Sequence, residues 1–189
     1  MDLILHIWGG SFYLINKILF AISEVKDGNT QKHLKVSAWI IYILGVPAWV
    51  IILVSHQDWI AASIEAGGIP AMLLGLYNTY HDHNRQHKTF NIFVTFCTYS
   101  SLAFGLIYSL SIHGGITSVS QIIEMGVMLG FLMGSYFMAK NNPNGWLFFM
   151  LMNLSMASLM FLQENLILMA QQLLSLCFVI YGYNKARKH

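Results

Sequence analysis

The sequence predicts an all-α membrane protein that crosses the bilayer seven times, laid out as two parallel triple-helix bundles joined by a linking helix. Three observations lead there. Seven apolar runs follow one another through the 189 residues, each close to the ~20 residues that cross about 30 Å of hydrocarbon as a helix. Of the ten Lys and Arg residues, all but Lys17 fall in alternate breaks between those runs. Charged residues make up 10% of the chain against 56% hydrophobic, which leaves too little polar surface for a water-soluble particle.

The first run, Leu3–Ser23, has no basic segment before it and no small-residue cleavage site, so it reads as a retained helix and not as a signal peptide. Lys17 lies in this run about two turns from its end, where a long side chain is expected to snorkel to the interface. Lys26, Lys32 and Lys35 follow. The second run is Val36–Ser55 and the third Trp59–Tyr80; Pro47 and Pro70 inside them each remove a backbone donor and bend the helix. Arg85 and Lys88 come next, then the fourth run Thr89–Ile112, the fifth Ser118–Ala139, and Lys140. The sixth run is Trp146–Gln163 and the seventh Leu166–Tyr183, with Lys185, Arg187 and Lys188 behind it. The remaining breaks, around Gln57-Asp58, His113–Thr117 and Glu164-Asn165, hold neither Lys nor Arg. Basic loops stay cytoplasmic. The amino terminus is therefore expected outside and the carboxyl terminus in the cytoplasm, in a bacterial-type inner membrane. Cys97 and Cys177 both lie within apolar runs, which predicts buried thiols and no disulfide framework.

An odd number of spans invites a test for duplication. Ala38-Trp39 through Gln57-Asp58-Trp59-Ile60 is similar to Gly145-Trp146 through Gln163-Glu164-Asn165-Leu166, and with a small shift Ala66 and Tyr77 align with Ala170 and Tyr181. The plan is a first bundle over 1–83, a linker helix over 84–117 and a second bundle over 118–189. One linking helix makes the two triples parallel, and transporters built from parallel repeats hold their substrate between the halves near the midplane. A second similarity competes. Glu65, Gly67, Ala71, Gly75 and Tyr77 match Glu124, Gly126, Gly130, Gly134 and Tyr136 at a constant offset of 59. Small residues at this spacing are explained by close helix packing in lipid.

The carboxyl-terminal third carries a recognisable order of residues. Gly134-Ser135-Tyr136-Phe137-Met138-Ala139-Lys140 leads to Gly145-Trp146 and Asn153, then Gln171-Gln172, then Tyr181-Gly182-Tyr183 and a basic tail. This order resembles the end of the PnuC family of vitamin-precursor transporters over roughly the last third of the chain, and the remainder through topology alone. Asn184-Lys185-Ala186 stands where the family's last helix often ends in Trp, and the family's aromatic near Gln171-Gln172 is missing. The resemblance implies a 3+1+3 architecture like a pair of fused SWEET-type bundles. It implies facilitated diffusion of nicotinamide riboside, made one-way by phosphorylation in the cell, with thiamine, riboflavin or a nucleoside as alternatives.

Polar side chains in mid-membrane are costly and so are candidate functional groups. Asn153 lies two turns after Trp146 on one helical face; it is either a ligand contact or an interhelical hydrogen bond. Gln171 and Gln172 point some 100° apart, so at most one faces a central cavity squarely. Trp39, Tyr42 and Trp49 mirror the Trp146 region and offer rings to stack on a flat, cationic ligand; for Trp39 and Trp146 an interfacial belt is the alternative. Asn78, Tyr77 and Tyr181 form an inner gate or an interface anchor. Asp2, Asp58, Glu65, Glu124 and Glu164 all map to the outer half, where a negative vestibule concentrates cations. Glu65 and Glu124 lie within spans, where a proton-coupled carboxylate is one option.

His81-Asp82-His83-Asn84-Arg85-Gln86-His87 has the density of a metal site, but neither a Cys nor a second His box accompanies it. No metal or cofactor is expected, and a metal-dependent membrane enzyme is a remote reading. Paired catalytic carboxylates, nucleophile–base sets and phosphate-cradling glycine loops are missing from the sequence, so no enzyme is expected. The partners expected are a cationic, flat-ring solute and the lipid bilayer, with a homo-oligomer left open and no nucleic acid. The reading from another class is a membrane scaffold whose polar residues only hold helices together.

Overall fold

The computed structural model describes residues 2–55, 58–81 and 87–187. Helices α1 (Asp2–Ser23), α2 (Gly28–Ser55), α3 (Trp59–Gly67), α4 (Ile69–Tyr80), α5 (Lys88–His113), α6 (Val119–Ala139), α7 (Asn144–Leu162) and α8 (Leu166–Ala186) account for nearly all of them, and no strand occurs among the described residues. Six helices, namely α1, α2, α5, α6, α7 and α8, are long and apolar enough to cross a membrane. The third predicted run is divided. Gly68 separates α3 from α4, and Pro70 in the first turn of α4 has no N–H to carry the ladder through. Pro47 leaves α2 continuous.

Side-chain caps start the helices at the polar breaks. Asp58 accepts from the Ala61 N–H, Ser118 from Gln121 and Asn165 from Leu168, each satisfying one donor of a first turn. Gly114 closes α5 in the left-handed conformation (φ 65°) that glycine adopts without penalty. Helix α2 begins at Gly28, well before the apolar run at Val36. The run marks apolar surface only, whereas Gln31, Lys32 and Lys35 are good helix formers that extend the helix beyond it. Lys35 on this extension pairs with Glu24 at 3.2 Å and donates to Asn141 Oδ1 at 3.4 Å.

Neighbouring helices form a closed ring. Helix α1 packs on α2, α2 on α3 and α4, α4 on α6, α6 on α7, α7 on α8, and α8 returns to α1. Helix α5 lies outside this ring against α3, α4 and α6. The α3–α4 pair runs alongside α6 from end to end: Asp58 and Glu124 border one cavity, and at the other end Asn78 Nδ2 donates to Ala139 O at 2.9 Å. Large apolar side chains such as Phe96, Ile107, Leu154 and Ile167 point away from the bundle, the reverse of a water-soluble protein and the surface a bilayer requires. Asn78→Ala removes the donor from a buried carbonyl, a loss of about 1–3 kcal/mol. A fall in the detergent melting temperature is the expected result, and an unchanged melt would show the bond to be dispensable.

The core is concentrated at the end that carries the basic breaks. Phe20, Trp39, Tyr42, Met72, Leu132, Trp146, Phe149 and Val179 are buried there in one cluster. Two indoles are its largest fully buried side chains. The Trp39 ring occupies the notch left by Gly75, and the Trp146 ring that left by Gly182. The other end of the ring is hollow.

Candidate functional site

The hollow is a cavity of about 550 Å³ bordered by residues of every helix except α4. Asp58, Glu124 and Gln163 stand at its mouth, at the end of the bundle whose breaks lack Lys and Arg. Met125, Met128, Met152, Met156 and Met160 make much of its wall, flexible side chains suited to a surface that must adapt. Its floor is polar. Lys17, which is 1% exposed, reaches the cavity from α1. Its Nζ lies 3.2 Å from the Phe149 ring centroid and 4.5 Å from that of Tyr42, close enough for a cation–π attraction. Among the described residues its Nζ has no hydrogen-bond partner.

Asn153 faces the same floor. Its Nδ2 donates to Phe149 O one turn back at 2.7 Å, and its Oδ1 is buried without a partner among the described residues. Trp49 Nε1 is likewise a buried donor on the lining with no partner among the described residues. Higher on the wall the Tyr13 hydroxyl donates to the Glu65 carboxylate, and the Tyr13 ring meets Tyr42 edge-on at 5.1 Å. Glu124 is exposed at the mouth and accepts from Ser120 on its own helix at 3.1 Å. Gln121 holds the α5–α6 turn by donating to Ser109 and to Gly115 O.

Of the residues singled out from sequence, Asn153, Gln171, Gln172, Trp49, Glu65 and Glu124 all border this cavity. The two glutamines both reach it, because the cavity wall is broad enough on α8 to take neighbouring positions. The Gln171 amide also lies against Gly10 of α1, where a Cβ would approach its Nε2 to 2.6 Å. The others lie elsewhere. Trp39 and Trp146 are sealed in the packed end and lie neither on the cavity nor in an interfacial belt, since the Gly75 and Gly182 notches take their rings inside the bundle. Tyr42 sits beneath the floor, its ring under Lys17 and its hydroxyl 3.1 Å from Ser135 Oγ. Asn78 ties α4 to α6. Tyr181 is 44% exposed on the outer surface of α8, with Lys185 Nζ 5.5 Å above its ring.

Lys17 departs from the sequence expectation. It does not snorkel to the near interface, because side chains on a helix lean toward its amino terminus. From position 17 of α1 that lean carries the ammonium away from Ser23 and into the bundle. The signal was present, since Lys17 is the only Lys or Arg inside an apolar run. Asn16 beside it is fully buried, and neither amide atom has a partner among the described residues. Tyr13, Tyr108 and Ser109 also border the cavity without any distinguishing pattern in the sequence. Of the His81–His87 segment, residues 82–86 lie outside the described residues. His81 Nδ1 bonds Tyr77 O at 3.1 Å, and the described residues hold no group of three metal-ligating side chains.

No family model, curated protein or solved structure matches this chain.

Proposed function

We propose that this chain is a membrane transporter that passes a small polar solute through the central cavity. The observation that carries this reading is the convergence of Asn153, Gln171 and Gln172 on one cavity. In a scaffold these side chains would be spent on neighbouring helices, yet Asn153 keeps a free acceptor there. Ligand sites combine an apolar wall with a few convergent polar groups, and this one has both. The cavity is open toward Asp58 and Glu124 and closed below by Tyr42, Ser135 and the two indoles, as expected of one end state of alternating access.

The 3+1+3 repeat is part of this reading. The packing pairs favour an ungapped register. Trp39 to Trp146 and Gly75 to Gly182 are the same step of 107 residues, as are the caps Asp58 to Asn165. The ring pair Tyr42 and Phe149 under Lys17 obeys it too. This register sets Glu65 against Gln172 and replaces the shifted pairing of Tyr77 with Tyr181. Rocking of the two triples, with α5 as linker, would open the packed end. The amino terminus is assigned to the outside and the carboxyl terminus to the cytoplasm of a bacterial inner membrane, from the loop charges.

The substrate suggested by the resemblance to the PnuC family is nicotinamide riboside, with thiamine, riboflavin and nucleosides as alternatives, carried down a gradient by differential binding to two states. Titration calorimetry of the purified protein in detergent against this panel tests it. One ligand is expected to give saturable micromolar heat, weakened roughly tenfold or more by Asn153→Ala as a buried hydrogen bond is lost. Silence across the panel from folded protein would remove the vitamin-precursor reading and favour the scaffold.

A further inference from the structure

We propose that Lys17 anchors a carboxylate, so that the solute is a zwitterion: a flat, cation-bearing ring with a carboxylate on the same small molecule. This rests on the transporter reading and names the substrate class of that cavity. Ion pairs or hydrogen-bonded partners normally accompany a charge buried at membrane depth. Among the described residues Lys17 has neither: it is 1% exposed, borders the cavity and sets its Nζ against the rings of Phe149 and Tyr42. Three N–H donors therefore face the floor with no acceptor. Trp49 Nε1 is a second unpartnered donor on the same lining. A carboxylate would give the Lys17 donors their acceptor, in charge-assisted bonds stronger than neutral ones.

The opposite charge is found toward the mouth. Glu65 uses one carboxylate oxygen on the Tyr13 hydroxyl and retains the other, while Glu124 and Asp58 stand farther out. An anion alone would be repelled by Asp58 and Glu124 on its way in, and a cation alone would meet only the donors of Lys17 at the floor. A dipolar solute satisfies both ends, with its carboxylate inward and its cation outward, and Asn153 Oδ1 is left to accept from a hydroxyl. The acidic rim alone had suggested a simple cation; the buried ammonium reverses the requirement at the deeper end.

Two matched pairs isolate the carboxylate: nicotinic acid riboside against nicotinamide riboside, and 1-methylnicotinate against 1-methylnicotinamide, both methylated on the ring nitrogen. Each pair shares the pyridinium cation and differs only in carboxylate for carboxamide. Calorimetry on the full chain in detergent is expected to give roughly ten- to hundredfold tighter binding of the carboxylate member, the scale of a charge-assisted hydrogen bond. Lys17→Met, which keeps the side-chain length without the charge, should abolish the preference, and Lys17→Arg should retain it. Equal binding within each pair, a preference for the amide, or a carboxylate preference that survives Lys17→Met would overturn the proposal and leave the transporter intact. Absence of binding by all four compounds would also overturn it; the vitamin panel with Asn153→Ala then decides separately whether the transporter reading stands.

Discussion

Gly75→Leu and Gly182→Leu are each expected to remove the folded protein from detergent extracts. At Gly182 a Cβ would lie 2.5 Å from Trp146 Cη2, and at Gly75 2.2 Å from Trp39 Cζ2. Neither indole can retreat. Trp39 is held edge-on by Phe20 at 4.9 Å and stacked along Tyr42 at 6.2 Å, and both indoles are fully buried. Adding a single methyl to a packed core costs about 1–3 kcal/mol, so alanine should lower the melting temperature and leucine should exceed what a small bundle can absorb. Each loss should be partly repaired by shrinking its own partner: Trp39→Phe for the alanine at 75, Trp146→Phe for the alanine at 182. The crossed combinations should not repair, because the notches belong to different halves of the ring. Leucine variants that melt with the wild type would show that the indoles do not hold the packed end together.

The same pairs show what the sequence could and could not disclose. Run length and loop charge located the helices well, because bilayer thickness and backbone hydrogen bonding leave a chain few other solutions. Their ends were less accessible. The polar start of α2 at Gly28 carries no apolar signal, and the break at Gly68 depends on one missing donor at Pro70. Within the cavity, Asn153, Gln171, Gln172 and Glu65 were legible as polar residues in apolar runs. Trp39 and Trp146 were not placed, because an indole at a helix end suits a lipid interface or a glycine notch equally. Only the position of Gly75 and Gly182 in space separates the two. Lys17 was visible in the sequence, and its direction was the missing piece: the distance to the nearer interface favoured snorkelling, while the tilt of side chains along α1 sends it inward.

Direction also decides which face of the membrane the cavity serves, and thiol labelling reads it out. With Cys97 and Cys177 replaced by alanine, cysteines at Met156 and Met160 line the cavity, whereas cysteines at Leu132 and Val179 lie in the packed end. A charged, membrane-impermeant methanethiosulfonate should modify the first pair faster than the second by on the order of a hundredfold, since reactivity follows access to the thiolate. Applied to intact cells, the reagent should reach Met156→Cys, because the cavity opens at the end without Lys or Arg and that end is assigned to the outside. In inverted vesicles the rate should collapse. The reverse pattern would turn the protein over in the membrane and make the observed state an exit conformation. Equal rates at all four positions would mean that the packed end opens readily, so that the Tyr42–Ser135 contact is no gate. Reagent charge adds a finer reading: Asp58 and Glu124 at the mouth should speed a cationic reagent over an anionic one, and added salt should narrow that gap by screening. Slowing of labelling by the bound solute, with Leu132→Cys unaffected, would join binding to this cavity and to no other part of the bundle.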